Sequence, residues 1–103
     1  MALRVMRLID NLPRSIQGRV IADQLMRSAT SVASNYRAAC RARSKAEFVA
    51  KLSIVVEEAD ETVLWLELII EGELLPADKV KDLLAEGNEI TAIMVASRKT
   101  ASS

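Results

Sequence analysis

Four glutamates and one cysteine are the residues whose type and spacing first suggest chemistry. Glu58-x-x-Glu61 and Glu86-x-x-Glu89 each set two carboxylates three residues apart, which puts each pair on one face of a helix. Hard oxygen ligands on two neighbouring helices suit Mg²⁺. The chain has no histidine. That removes His-based triads, Cys–His pairs and the Glu-x-x-His ligand sets of di-iron bundles. Cys40 follows Ala38-Ala39 on the core side of its helix and has no evident base, so it reads as a small buried hydrophobe and not as a nucleophile.

Arginine offers a different chemistry. Residues 1–51 hold ten Arg and Lys against three acids, so that half carries +7 and the remainder −7. Arg4, Arg7, Arg14, Arg19, Arg27, Arg37, Arg41 and Arg43 are the candidate phosphate contacts, since affinity for nucleic acid follows clustered charge and not net charge. On a helical wheel Arg19, Arg27, Arg37 and Arg41 form a strip interrupted by Asp23. Glu57, Asp60, Glu61, Glu67 and Glu71 cluster on one arc of the next helix, whose opposite side is apolar. Such strips are solvated faces, or they meet within a subunit or between subunits. Head-to-tail pairing of two unlike surfaces closes into a ring when the rotation allows it. Trp65, Ile54, Leu68 and Ile69 widen the apolar arc beyond what one bundle buries easily. The expected subunit interface is therefore Arg27, Glu57, Asp60, Glu61, Trp65 and Leu68. Gln24, Ser28, Ser31 and Asn35 recur at spacings of four, three and four, and read as helix-to-helix hydrogen bonding and not as a ligand site.

The elements that carry these residues are helices. Half of the residues are apolar, with one Phe, one Tyr and one Trp, two Pro and three Gly. That leaves too few turns for a many-stranded sheet. A first helix over 2–11 would face inward with Leu3, Met6 and Ile9. A second over 15–41 would use Leu25, Ala29, Val32, Tyr36 and Ala39. Ser44-Lys45-Ala46-Glu47 reads as a capping box that opens a third helix over 44–71, with Phe48, Leu52, Val55, Ala59, Val63, Leu66 and Ile70 inward. Pro76 suits the first turn of a fourth helix over 76–97, with Val80, Leu83, Leu84, Gly87, Ile90 and Met94 inward and Ser97–Ser103 frayed. The expected fold is one all-α domain, 1–103: an antiparallel up-and-down four-helix bundle. One cysteine, no signal-peptide pattern and no apolar run long enough to span a bilayer predict a soluble, cytoplasmic protein without a membrane.

The run Gln24-Leu25-Met26-Arg27-Ser28-Ala29-Thr30-Ser31-Val32-Ala33-Ser34-Asn35, followed by Ser44-Lys45-Ala46-Glu47-Phe48, resembles the signature of the four helix bundle protein family. Leu12-Pro13 before it and Glu57-Glu58-Ala59-Asp60-Glu61 after it fit the same pattern, so the resemblance spans Leu3 to about Leu75. The family is also called the 23S rRNA intervening-sequence protein family, and includes the accessory variability determinant proteins of diversity-generating retroelements. The resemblance implies a homopentameric ring without cofactor, metal or catalytic residues. In the retroelement branch it implies binding to a reverse transcriptase and to RNA or DNA. Those accessory proteins are usually strongly basic, whereas this chain is neutral with a pI near 6.3. A purely structural self-assembling protein is the alternative. A further one is a Mg²⁺-dependent all-α nucleotide pyrophosphatase, although Glu86-x-x-Glu89 lacks the Asp of that family's pattern.

Overall fold

The computed structural model describes residues 1–103, which form helices and turns only. The elements are α1 (Ala2–Ile9), α2 (Ile16–Cys40), α3 (Lys45–Glu71), a short 3-10 turn (Ala77–Lys79) and α4 (Lys81–Ser102). Ser15 and Ser44 start the two long helices. Each sits in an extended conformation and accepts a backbone N–H with its hydroxyl, from Gly18 at 3.1 Å and from Glu47 at 3.0 Å. These caps satisfy donors that the first turn leaves open. The Glu47 carboxylate completes its half of the box one residue early, accepting from the Arg43 N–H at 3.3 Å.

α3 ends at Gly72, but the left-handed residue there is Glu73, with φ of 54°. It lets the Leu74 N–H reach back to the Ile69 carbonyl at 3.0 Å. Pro76 then caps the 3-10 turn and does not open α4, which begins at Lys81. The expected fray of Ser97–Ser103 gives way to helix as far as Ser102, whose hydroxyl donates to the Arg98 carbonyl at 2.9 Å.

α3 is the central element. It packs along both α2 and α4, while α1 lies against α2. The main core joins Val5, Leu8 and Leu12 to Leu25 and Ala29 of α2, Leu66 and Ile69 of α3, and Val80 and Leu83. Val32, Val55 and Ala59 form a smaller cluster. The molecule measures 44 × 19 × 18 Å. With its eight residues α1 is only about 12 Å long, against about 37 Å for the 25 residues of α2. The bundle thus has four helices at one end and three at the other.

That mismatch explains two departures from the expected core. Tyr36 and Cys40 lie on the inward side of α2, yet Tyr36 is 46% exposed and Cys40 is exposed, because α1 stops short of them. The inward residues are Val5 and Leu8 of α1 and Leu12 in the turn after it, while Leu3 and Met6 are exposed. The apolar residues of this short helix occupy a broad arc opposite Arg4 and Arg7, and Leu3 and Met6 fall on the edge of that arc that stays exposed. Ile69, expected to point outward, is fully buried, and Trp65 is half-buried beside it.

Candidate binding surfaces

The motif face of α2 is spent on α3. Arg27 reaches across the seam and donates to Glu58 Oε2 at 3.0 Å and to Glu61 Oε1, while its Nε donates to Gln24 of its own helix at 3.1 Å. The Trp65 indole N–H donates to the same Glu61 oxygen at 3.2 Å. The Arg27 hydrogen bond holds the Glu61 carboxyl below its ordinary 4.5; burial opposes this and the Trp65 donor assists. The Arg27 guanidinium is correspondingly raised, first by Glu61. Beside it, Thr62 donates to Ser28 Oγ at 2.9 Å, and the Ser28 hydroxyl donates to the Leu25 carbonyl at 3.2 Å, both residues being fully buried. Asn35 donates to Ser31 at 3.0 Å. Within the expected polar row, then, Ser28 bonds across to α3 and Gln24 reaches it through Arg27, while Ser31 and Asn35 bond within α2. Of the residues expected between subunits, Arg27 and Glu61 are paired inside this chain. Glu57 and Asp60 are exposed and make no ion pair, and Trp65 and Leu68 are half-buried.

The other arginines divide by location. Arg4 pairs with Glu86 of α4. Arg7, Arg14, Arg19, Arg37, Arg41 and Arg43 are exposed and meet no acid within ion-pair distance. Arg19 and Arg37 are 18 residues apart, five full helical turns, so they share a side of α2 about 27 Å apart. Arg41 follows Arg37 by one turn. Sequence reasoning missed Lys79, which the 3-10 turn brings beside Arg4, Arg7 and Asn11 at a crevice between α1 and α4. No periodicity signals this, because Lys79 lies outside the long helices.

The four glutamates do not gather. Glu58 and Glu61 face α2 and Arg27, whereas Glu86 faces α1 and Arg4. The i, i+3 spacing aligns each pair on its own helix, but the two faces look different ways. No three carboxylate or thiol groups come within reach of one cation. No helix is long and apolar enough to cross a membrane.

A trough lies beside the N-terminal end of α1. α3 floors it with Val55, α2 walls it with Ala33 and Tyr36, α4 walls it with Ile90 and Met94, and Met1 closes one end. Its cavity is about 250 Å³ and its lining is wholly apolar. The Cys40 sulfur, one turn along α2, holds the Tyr36 phenol above its ordinary 10.0.

A family model described as 23S rRNA-intervening sequence protein matches residues 1–96. A crystal structure of a Bacteroides thetaiotaomicron VPI-5482 protein of unknown function, from the S23 ribosomal protein family, superposes with a TM-score of 0.87 at 34% identity. The match covers 95% of this chain and 91% of that one. No curated protein matches.

Proposed function

The chain belongs to the 23S rRNA-intervening sequence protein family, and from that premise we propose that it is a non-enzymatic, self-assembling subunit that binds nucleic-acid phosphates through α2. The observation that carries this reading is the set of exposed arginines on α2 and its C-terminal loop that no acid of the chain neutralises: Arg19, Arg37, Arg41 and Arg43. Unpaired guanidinium groups retain their full capacity for phosphate oxygens. No aromatic platform accompanies them for base stacking, so the binding is sequence-tolerant and salt-sensitive. The family resemblance supplies the protein partner of this reading, the reverse transcriptase of a diversity-generating retroelement, and a ring of five.

Self-assembly draws support from side chains that a lone bundle leaves wet. Ile16 and Val20 on α2, and Ile54 and Leu64 on α3, are exposed large hydrophobics, and exposed Glu57 and Asp60 accompany them on α3. Unlike surfaces of this kind suit head-to-tail closure. The binding reading is tested by titrating labelled single-stranded RNA between about 50 and 200 mM salt. Three phosphate contacts give a log–log slope of about −2, a loss of about twentyfold over that range. Arg37→Ala and Arg41→Ala should each flatten the slope by about 0.7. A protein that scatters light as an oligomer yet forms no RNA complex at about 50 mM salt would be a purely structural assembly.

A further inference from the structure

The crevice between α1 and the 3-10 turn holds two cations that no acid of the chain pairs with. We propose that it binds a small organic phosphate monoester, such as a nucleoside monophosphate, with the phosphate between Arg7 and Lys79 and the body against Leu75 and Pro76. The site is separate from the α2 arginines and stands without the RNA-binding reading.

Packing brings the two cations together. Val80 and Leu83 are buried in the main core with Val5 and Leu8, which pins the 3-10 turn beside α1. Lys79 then lines a cavity of about 250 Å³ with Arg4, Arg7 and Asn11. Those three follow one another at spacings of three and four, so they share a side of α1 and the turn after it. Arg4 is held by Glu86 of α4, and each cancels the other's charge. Arg7 and Lys79 are exposed and form no ion pair, even with Asp78 and Asp82 close to Lys79 in sequence. Two like charges lining one crevice repel. An anion between them replaces that repulsion with charge-assisted hydrogen bonds. Asn11 donates one amide hydrogen to the Arg7 carbonyl at 3.0 Å, which leaves its other one for a phosphate oxygen.

Charge and shape specify the ligand. A phosphate monoester carries about −1.5 to −2 near neutral pH and so matches two free cations. A diester carries a single charge and leaves one cation unmatched. The crevice also continues past the cations. Leu8, Asn11 and Lys79 line an adjoining cavity of about 400 Å³, whose further wall is Leu75 and Pro76. These shared residues make the two cavities one cleft, cationic at one end and apolar at the other. Its volume is that of a small-molecule site, and its apolar end calls for an esterified body where bare phosphate would leave it wet.

The probe is adenosine monophosphate, compared with adenosine and with the methyl ester of the same phosphate. Each is titrated into the isotope-labelled full chain and followed by amide shifts in NMR spectra. The monophosphate should shift the Asn11 and Lys79 amides and bind about fivefold more tightly than its methyl ester, as one added exposed ion pair gives. Arg7→Ala and Lys79→Ala should each weaken binding about tenfold, with circular dichroism unchanged. Lys99→Ala, an exposed cation near the far end of α4, should bind as the parent does. The chain has no histidine, so a loss of affinity as pH falls from about 7 to about 5 reports the phosphate, whose second pKa is about 6. A dinucleotide with a terminal phosphate should bind more weakly, because Leu75 and Pro76 wall the cleft; equal binding would give the site to strand ends and not to a small molecule. Adenosine binding as tightly as its monophosphate, affinity that ignores pH over that range, or parent-like binding by both Arg7→Ala and Lys79→Ala overturns the proposal.

Discussion

Replacing Ser28 with Ala, Thr62 with Val, and both together probes whether the motif-bearing face of α2 is a structural seam. The two hydroxyls lie 2.9 Å apart and both residues are fully buried, with Thr62 also 2.8 Å from the Glu58 carbonyl. Each substitution nearly conserves volume, so the cavity term is small and the hydrogen bond dominates. Ser28→Ala removes the acceptor, but Thr62 can turn its proton to Glu58, so no buried donor is stranded. The loss is the net value of one bond, about 1 kcal/mol. Thr62→Val leaves Ser28 donating to Leu25 and costs a similar ~1 kcal/mol. Once one partner is gone the other has less to lose, so the double variant should be about 1 kcal/mol more stable than the two single losses predict. For a domain of this size, 1 kcal/mol moves the Tm by roughly 4–8 °C. Urea denaturation followed by far-ultraviolet circular dichroism closes the cycle. Strict additivity, with no coupling beyond about 0.3 kcal/mol, would show that the bond contributes nothing across the seam.

Two further outcomes follow from the same geometry. Glu61 has its folded pKa lowered below 4.5, chiefly by Arg27. Its contribution is therefore complete above the unfolded value and disappears as pH falls through the folded one. The stability gap between the parent and Glu61→Gln should be full at neutral pH and shrink on acidification below about 4.5; a gap unchanged by pH in urea melts would refute this. Gly18→Ala should destabilise despite the better helix propensity of Ala, because a Cβ there would lie 1.9 Å from the Pro13 carbonyl oxygen. The strain is in the backbone of the α1–α2 link, so a loss of about 1–3 kcal/mol is expected. An unchanged or raised Tm would contradict it.

The fold was legible in the sequence because the signals for it are local. The Ser44 cap, the stop at Gly72 and the α3 stripe from Leu52 to Leu66 depend only on spacing and on turn chemistry, and all appear as expected. The face of α1 was legible only in part. Its apolar arc is broad, and the residues that pack with Leu25 and Leu66 are Val5 and Leu8 within it, not Leu3 and Met6 at its edge. The exposure of Tyr36 and Cys40 was equally hidden, since periodicity reports which side of α2 turns inward and not how far α1 extends to cover it. Lys79 joins Arg4 and Arg7 only through the path of the α3–α4 connection.

The most recognisable stretch of the chain is thus the least available for binding. Gln24, Arg27 and Ser28 are held by one another, by Glu58 and Glu61, and by Thr62. Changing any of them loosens α2 from α3 before it alters a surface. A motif of this kind specifies how the subunit is built, because a polar seam fixes the register of two helices that aliphatic packing alone would let slide. On the proposed reading, phosphate recognition falls to positions the motif leaves free, the arginines on the outer side of α2. Substitutions inside the motif should therefore lower stability and RNA binding together, whereas Arg37→Ala should weaken RNA binding and leave the melt unchanged. If Arg37→Ala lowered the melting temperature as much as Ser28→Ala does, this division between building and binding residues would be wrong.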